Sequence, residues 1–271
     1  MRARPRVSPT GSSGSDHSPQ DDLPYSTCWT APVNDPLIDV RRLTRRFPGG
    51  AGLAPTDLHV AAGEIHAIVG LNGAGKTTLM RLILGMLRPD AGSITINGRQ
   101  LGASDAPWGQ VGHLLDAPLA YPELDCRANL TVAARLHGVP QADIPAKVDN
   151  AITALNLGQF EQTLTRRLSA GNRQRLGLAA ALVHDPDVII LDEPTNALDP
   201  RGVILLRQLL LTRAEHGAGV LVSSHHLDEV ARIANRITVI NCGRSIGSLS
   251  PHAIDLERTF FAMVHDDRDD Q

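Results

Sequence analysis

Gly70-Leu-Asn-Gly-Ala-Gly-Lys-Thr-Thr78 decides how this chain is read. The apolar run Ile65 to Val69 stops where it begins, and Leu79, Leu82, Ile83, Met86 and Leu87 follow it at helical spacing. Strand, glycine loop and helix in that order turn a G-x-x-x-x-G-K-[ST] match into a phosphate-binding loop. Glycine lets the backbone curl so that several N–H groups converge on phosphate oxygens, and the positive end of the next helix adds to the attraction. Lys76 is expected to reach β- and γ-phosphates, and the Thr77 hydroxyl to ligate Mg²⁺. Lys76 and Lys147 are the only lysines among 26 basic residues. The loop therefore keeps a compact point charge in a chain that otherwise prefers the planar guanidinium. A glycine turn with no ligand is the plain alternative, and the flanking strand and helix speak against it.

Composition sets the outer limits. A length of 271 residues suits one large α/β domain, with or without tails, and 42% hydrophobic content is enough for a sizeable core. A formal net charge of −3 and a pI near 6.4 argue against nucleic acid as a principal partner. At 3% aromatic residues, platforms for stacking bases are not expected either. Cys28, Cys126 and Cys242 are odd in number and far apart, which predicts free thiols in a reducing cytosol. No apolar stretch reaches spanning length and no hydrophobic signal core opens the chain. It is expected neither to cross a membrane nor to enter one unaided.

Residues 1–34, rich in Ser, Pro, Gly, Asp and Arg, read as a disordered tail. Arg2, Arg4 and Arg6 are fewer charges than lipid-binding patches usually carry. A strand is predicted from Leu37 to Phe47, and Phe47 lies where an aromatic can stack on a purine or simply fill the core. Ser93 to Ile96 alternates as a half-buried strand and turns at Asn97-Gly98. Val111 to Asp116 reads as a short strand ending in an acid. A helical pattern from Arg127 to about Leu168 then suggests an inserted subdomain, about residues 117–185.

Three further stretches carry chemistry. In Leu168-Ser-Ala-Gly-Asn-Arg-Gln-Arg175, ahead of a small-residue helix from Leu176 to Val183, Ser169 is placed as an N-cap. Ala170 and Gly171 leave backbone N–H groups uncrowded, so this is a second anion-binding helix start; standing alone it would be an ordinary capped helix. Val188 to Leu191 reads as a buried parallel strand closed by Asp192 and Glu193. Asp192 is the expected Mg²⁺ partner, and Glu193 is placed to orient and deprotonate a water. On a surface the same two acids would be solvated charge; here they end an apolar strand, where ligands bind in open α/β sheets. Asn196-Ala-Leu-Asp199-Pro200 opens a helix running to about Glu215. The strand Val220 to Val222 leads into Ser223-Ser224-His225-His226, whose His225 can bond the γ-phosphate and hold the attacking water. The alternative is a structural histidine, and the His225/His226 spacing suits no metal site. Residues 250–271 read as a short tail with an amphipathic piece.

With Gly70–Thr78, Leu168–Arg175, Val188–Asp199 and Ser223–His225 in this order, the chain from about Leu37 to Gly247 resembles an ATP-binding cassette (ABC) ATPase, the nucleotide-binding subunit of a transporter. The resemblance implies an α/β fold: a P-loop NTPase core of ABC ATPase type with an antiparallel β subdomain and an inserted helical signature subdomain, over residues 35–249. It assigns ATP to Gly70, Leu71, Asn72, Gly73, Ala74, Gly75, Lys76, Thr77 and Thr78. Phe47 becomes the adenine-stacking aromatic, and Mg²⁺ goes to Thr77 and Asp192. Glu193 becomes the catalytic base, His225 the switch histidine and Asp199 the D-loop acid. The family works as head-to-tail pairs, each ATP also meeting Ser169, Ala170 and Gly171 of the other subunit. The implied partners are a second ABC subunit, as a homodimer, and a separate transmembrane permease at the cytoplasmic face of the membrane. No nucleic acid is expected, and membrane contact is expected only through the permease.

Two departures stand out. The signature reads Leu-Ser-Ala-Gly-Asn instead of Leu-Ser-Gly-Gly-Gln, and Asp116 replaces the family's Q-loop glutamine, where it is a candidate Mg²⁺ contact. Asp116 with Pro118, Tyr121, Leu124 and Asn129-Leu130 is similar to bacitracin- and lantibiotic-type exporters, which points to export of a drug or peptide antibiotic. Two rival classes are weighed: a non-transport cassette of DNA repair or translation, and a catalytically weak nucleotide-binding module. The first commonly carries tandem cassettes, coiled insertions or basic surfaces, which this chain lacks. Against the second stand Lys76, Asp192, Glu193 and His225.

Overall fold

Strands Ile65–Val69 and Val188–Leu191 are apolar at nearly every position and buried throughout, and Gly219–Ser224 is buried along its whole length too. Such runs belong to parallel sheets covered on both faces. In chain order the strands are β1 (Ile38–Arg46), β2 (Gly52–Val60), β3 (Ile65–Val69), β4 (Ala91–Ile96), β5 (Arg99–Gln100), β6 (Val111–Leu114), β7 (Val188–Leu191), β8 (Gly219–Ser224), β9 (Arg236–Asn241) and β10 (Arg244–Leu249). The helices are α1 (Lys76–Ile83), α2 (Cys126–Leu136), α3 (Ile144–Ala154), α4 (Ala170–Leu182), α5 (Pro200–Glu215), α6 (Leu227–Ala231) and α7 (Leu256–Asp269). The computed structural model describes residues 36–102, 106–118 and 120–269. The expected tail over residues 1–34, with its arginines and Cys28, lies outside the described residues.

One sheet has the order β10-β9-β3-β8-β7-β6, parallel except for β10; the other is antiparallel, β2-β1-β4-β5. Period-two alternation divides the core between the two faces of the larger sheet. Ile65, Ala67, Val69, Ile189, Leu191, Val220 and Val222 join the apolar cluster that holds residues of α2 to α5 and α7. Ile68, Val188, Ile190 and Leu221 point the other way, into a cluster with Leu79, Leu82 and Ile83 of α1 and the antiparallel sheet. The register aligns the strand ends: Val69 lies opposite Ser224, Val222 opposite Leu191, and Leu191 opposite Leu114. The segments that follow these strands therefore emerge at one edge.

Between β6 and β7 come α2, α3 and α4. Asp125 caps α2 by accepting from Ala128 N at 2.8 Å. Asn129 pins the entry to this insert, accepting from Tyr121 N at 2.7 Å and donating to Tyr121 O and the Thr165 hydroxyl at 3.1 and 2.9 Å. Two places differ from the sequence reading. Helix α4 begins at Ala170, immediately after its cap, and not beyond Arg175, because Ser169 supplies the capping oxygen and no residue after it breaks the helix. Residues 256–269, read as part of a short tail, form a helix whose Leu256, Phe260 and Val264 are 8%, 5% and 4% exposed within the core. Their four-residue spacing is that of one helix face.

Candidate functional site

The loop 70–78 runs from the end of β3 to α1, whose N-cap is Gly75. Gly75 sits at φ 108°, a left-handed conformation that a side chain disfavours. Lys76, 6% exposed, turns its Nζ under the loop to Gly70 O at 2.8 Å and stands 3.4 Å from Glu193 Oε1. Thr77 Oγ1 donates to Asp192 Oδ2 at 2.5 Å. The other Asp192 oxygen accepts from the Ser223 hydroxyl, whose oxygen also accepts from Glu193 N at 2.9 Å. Glu193 Oε2 lies 2.7 Å from His225 Nδ1. Lys76, Thr77, Asp192, Glu193 and His225, which come from the first turn of α1 and the ends of β7 and β8, are thus joined by direct contacts. Glu193 adopts φ 47°, so the backbone is held in a sparsely populated conformation at the centre of the site.

Ser169 and Ala170 stand exposed at the N-terminus of α4, and Ser169 Oγ accepts from Asn172 N at 3.2 Å. Gly171 packs on the 196–199 loop so closely that a Cβ would lie 2.8 Å from Ala197 O. Asp199 caps α5 through Gly202 N at 2.9 Å and pairs with Arg175 of α4. The Arg175 hydrogen bond, followed by the Gly202 N–H, holds the Asp199 carboxyl below its ordinary value. Ser223 and Arg175 belong to stretches the sequence singled out, but no role was read for either. What ties them to the site is contact across the fold, which spacing does not display.

The remaining two candidates lie apart from this contact chain. Asp116, at φ 59° after β6, turns its carboxylate to Arg81 Nη2 at 2.7 Å and is largely exposed. Phe47 is half-buried at the end of β1, with the Arg45 guanidinium 5.3 Å from its ring centre. Among the described residues no group of three or more His, Cys, Asp or Glu converges as a metal site. The Thr77–Asp192 pair still fits Mg²⁺, which usually takes one or two protein oxygens and completes its shell with phosphates and waters.

A family model described as ABC transporter matches residues 53–196. The daunorubicin resistance ATP-binding protein of Streptomyces coeruleorubidus is 36% identical over 78% of this chain and 67% of its own. The bacitracin transport ATP-binding protein of Bacillus licheniformis is 32% identical over 77% of this chain and 68% of its own. A solved ATP-binding subunit of an ABC transporter superposes with a TM-score of 0.74 at 28% identity, covering 84% of this chain and 94% of that one. The family match takes in the phosphate loop, the α4 cap and the Asp192–Glu193 strand end, and the fold brings the first and last of these into contact. The chain belongs to the ABC transporter family as an ATP-binding subunit, an ATPase.

Proposed function

We propose that this subunit pairs head-to-tail with a second copy and drives a separate membrane permease from the cytoplasmic face, exporting a drug or peptide antibiotic. The observation that carries the reading is the contact chain from Lys76 through Glu193 to His225. Glu193 is the base: its carboxylate is fixed between a cation and an imidazole, so it is oriented to take a proton from water at the γ-phosphate. His225 positions that carboxylate through Nδ1. Lys76 and the loop N–H groups hold the phosphates, and Phe47 meets the adenine. Mg²⁺ would be held by Thr77 and Asp192, where it neutralises phosphate charge.

Pairing is supported by the exposed cap at Ser169-Ala170, a helix start with free N–H groups suited to phosphate. The contacts of the same chain's phosphate loop run instead to Asp192, Glu193 and Gly243. The export reading draws on similarity to the daunorubicin resistance and bacitracin transport proteins and on Asp116 in place of glutamine. No helix among the described residues is long and apolar enough to cross a membrane. The full chain, co-expressed with the membrane protein of the adjacent reading frame, is expected to co-purify with it and to show ATPase activity stimulated by that partner. Activity indifferent to every such partner would favour the non-transport reading.

A further inference from the structure

The turn Cys242-Gly243 joins β9 to β10 and lies against the phosphate loop. Its residues take φ of 45° and 73°, as a two-residue hairpin turn of the mirror-image kind requires. Gly243 uses both of its backbone groups. Its N–H donates to Ala74 O in the phosphate loop at 2.8 Å, and its carbonyl accepts from Ala54 N of β2, also at 2.8 Å. A Cβ on Gly243 would stand 2.0 Å from Gly52 O, so the turn is seated without slack.

The residues on either side of the turn, Asn241 and Arg244, are cross-strand partners, and one carboxylate holds both. Asn241 Nδ2 donates to Asp267 Oδ2 at 2.8 Å, and Arg244 Nη2 donates to Asp267 Oδ1 at 2.6 Å. Hydrogen bonds to an ionised acceptor are the stronger kind, and the Asp267 side chain is only 12% exposed. Helix α7, which carries Asp267, is itself fixed to the sheet. Besides its buried apolar face, Met263 covers Gly247 of β10, where a Cβ would lie 2.4 Å from the Met263 methyl. The same helix presents Glu257, Phe260 and Phe261 to a cavity of about 330 Å³ that is also lined by Gly70, Leu71 and His225.

We propose that Asp267 is a positioning residue for ATP binding. It clamps the two ends of the 242–243 turn, and the turn holds the phosphate loop through the Gly243 N–H. A cradle of converging N–H groups loses affinity when its backbone wanders by a fraction of an ångström. ATP affinity therefore depends on a carboxylate at the far end of the chain, outside every nucleotide-binding motif. The inference rests on nucleotide binding at residues 70–78, which the parent protein tests in the same experiment.

The full-length chain and three variants are compared for steady-state ATP hydrolysis and for equilibrium binding of a fluorescent ATP analogue. Asp267→Ala is expected to raise KM and weaken analogue binding about five-fold, with kcat within about two-fold of the parent. Asp267→Asn keeps one acceptor oxygen and should fall between the two. Met263→Ala loosens the same helix without touching the clamp, and should lower the melting temperature with KM unchanged. Parental KM in Asp267→Ala, or an equal rise in Met263→Ala, would show α7 to be structural only. A parent that binds no nucleotide would overturn the phosphate-loop reading, and the clamp with it.

Discussion

Acidification offers a test whose size follows from one buried side chain. His66 lies in β3, the strand that feeds the phosphate loop, and is 2% exposed. Its Nδ1 is 2.9 Å from His59 O and its Nε2 is 2.8 Å from the Thr238 hydroxyl. A neutral ring satisfies both, with Nδ1–H donating to the carbonyl and Nε2 accepting from the hydroxyl. Burial, chiefly, pushes the imidazole from its ordinary 6.5 down to about 4; the His59 carbonyl and Glu64 act in the opposite direction, and Arg236 and His59 add to the fall. The folded state thus refuses a proton that the unfolded chain accepts. Above pH 6.5 neither state binds it, and the group adds no pH dependence. Between 6.5 and about 4, stability falls as pH falls. At about 1.4 kcal/mol per pH unit, the loss by about pH 4.5 is roughly 2.5 kcal/mol. Urea midpoints at about pH 7.5 and 4.5 measure it against His66→Gln, which keeps hydrogen-bonding groups without titrating. His113, His137 and His184 are also lowered by burial and remain in both proteins, so the difference isolates His66. Equal acid sensitivity in parent and variant would refute the assignment of a neutral buried ring.

Two further outcomes follow from the site. Ser169→Arg removes the α4 cap and places a bulky cation where the partner's nucleotide is expected. It should leave ATP binding by the monomer intact and abolish the ATP-dependent dimer that size-exclusion chromatography is expected to show in a Glu193→Gln background; a persisting dimer would contradict pairing through this helix start. In nucleotide titrations with Mg²⁺ and with EDTA, affinity should depend more steeply on the cation in the parent than in Asp116→Asn, as a carboxylate near phosphate requires. An unchanged ratio would leave the Asp116 carboxylate to its partner Arg81.

Much of this arrangement is legible in the chain because local chemistry and global position agree there. Ile65–Val69 and Val188–Leu191 are apolar on both faces, so the sequence alone predicts buried parallel strands with chemistry at their ends. Asp199 and Ser169 announce helix starts by residue type. Other features depend on distant contacts and leave no periodic mark. Ser223 matters because β8 lies beside β7, which brings its hydroxyl between Asp192 and Glu193. Arg175 finds Asp199 across 24 residues, and Asp116 turns to Arg81 across 35. Strand β10 escapes a pattern reading because its Arg, Ser and Gly residues leave only Leu249 fully buried at an antiparallel edge. The role of α7 is hidden by its short, charged sequence, in which a single face carries the packing.

Turnover by Glu193→Gln decides whether Glu193 is the base. The amide preserves size but removes the basic carboxylate, whose Oε1 stands 3.4 Å from Lys76 Nζ and whose Oε2 stands 2.7 Å from His225 Nδ1. If Glu193 activates water, the purified variant with its permease should bind ATP as the parent does and hydrolyse it about 100- to 10,000-fold more slowly, as loss of a general base predicts. It should also accumulate an ATP-bound dimer. Hydrolysis at the parental rate would contradict the account at its root.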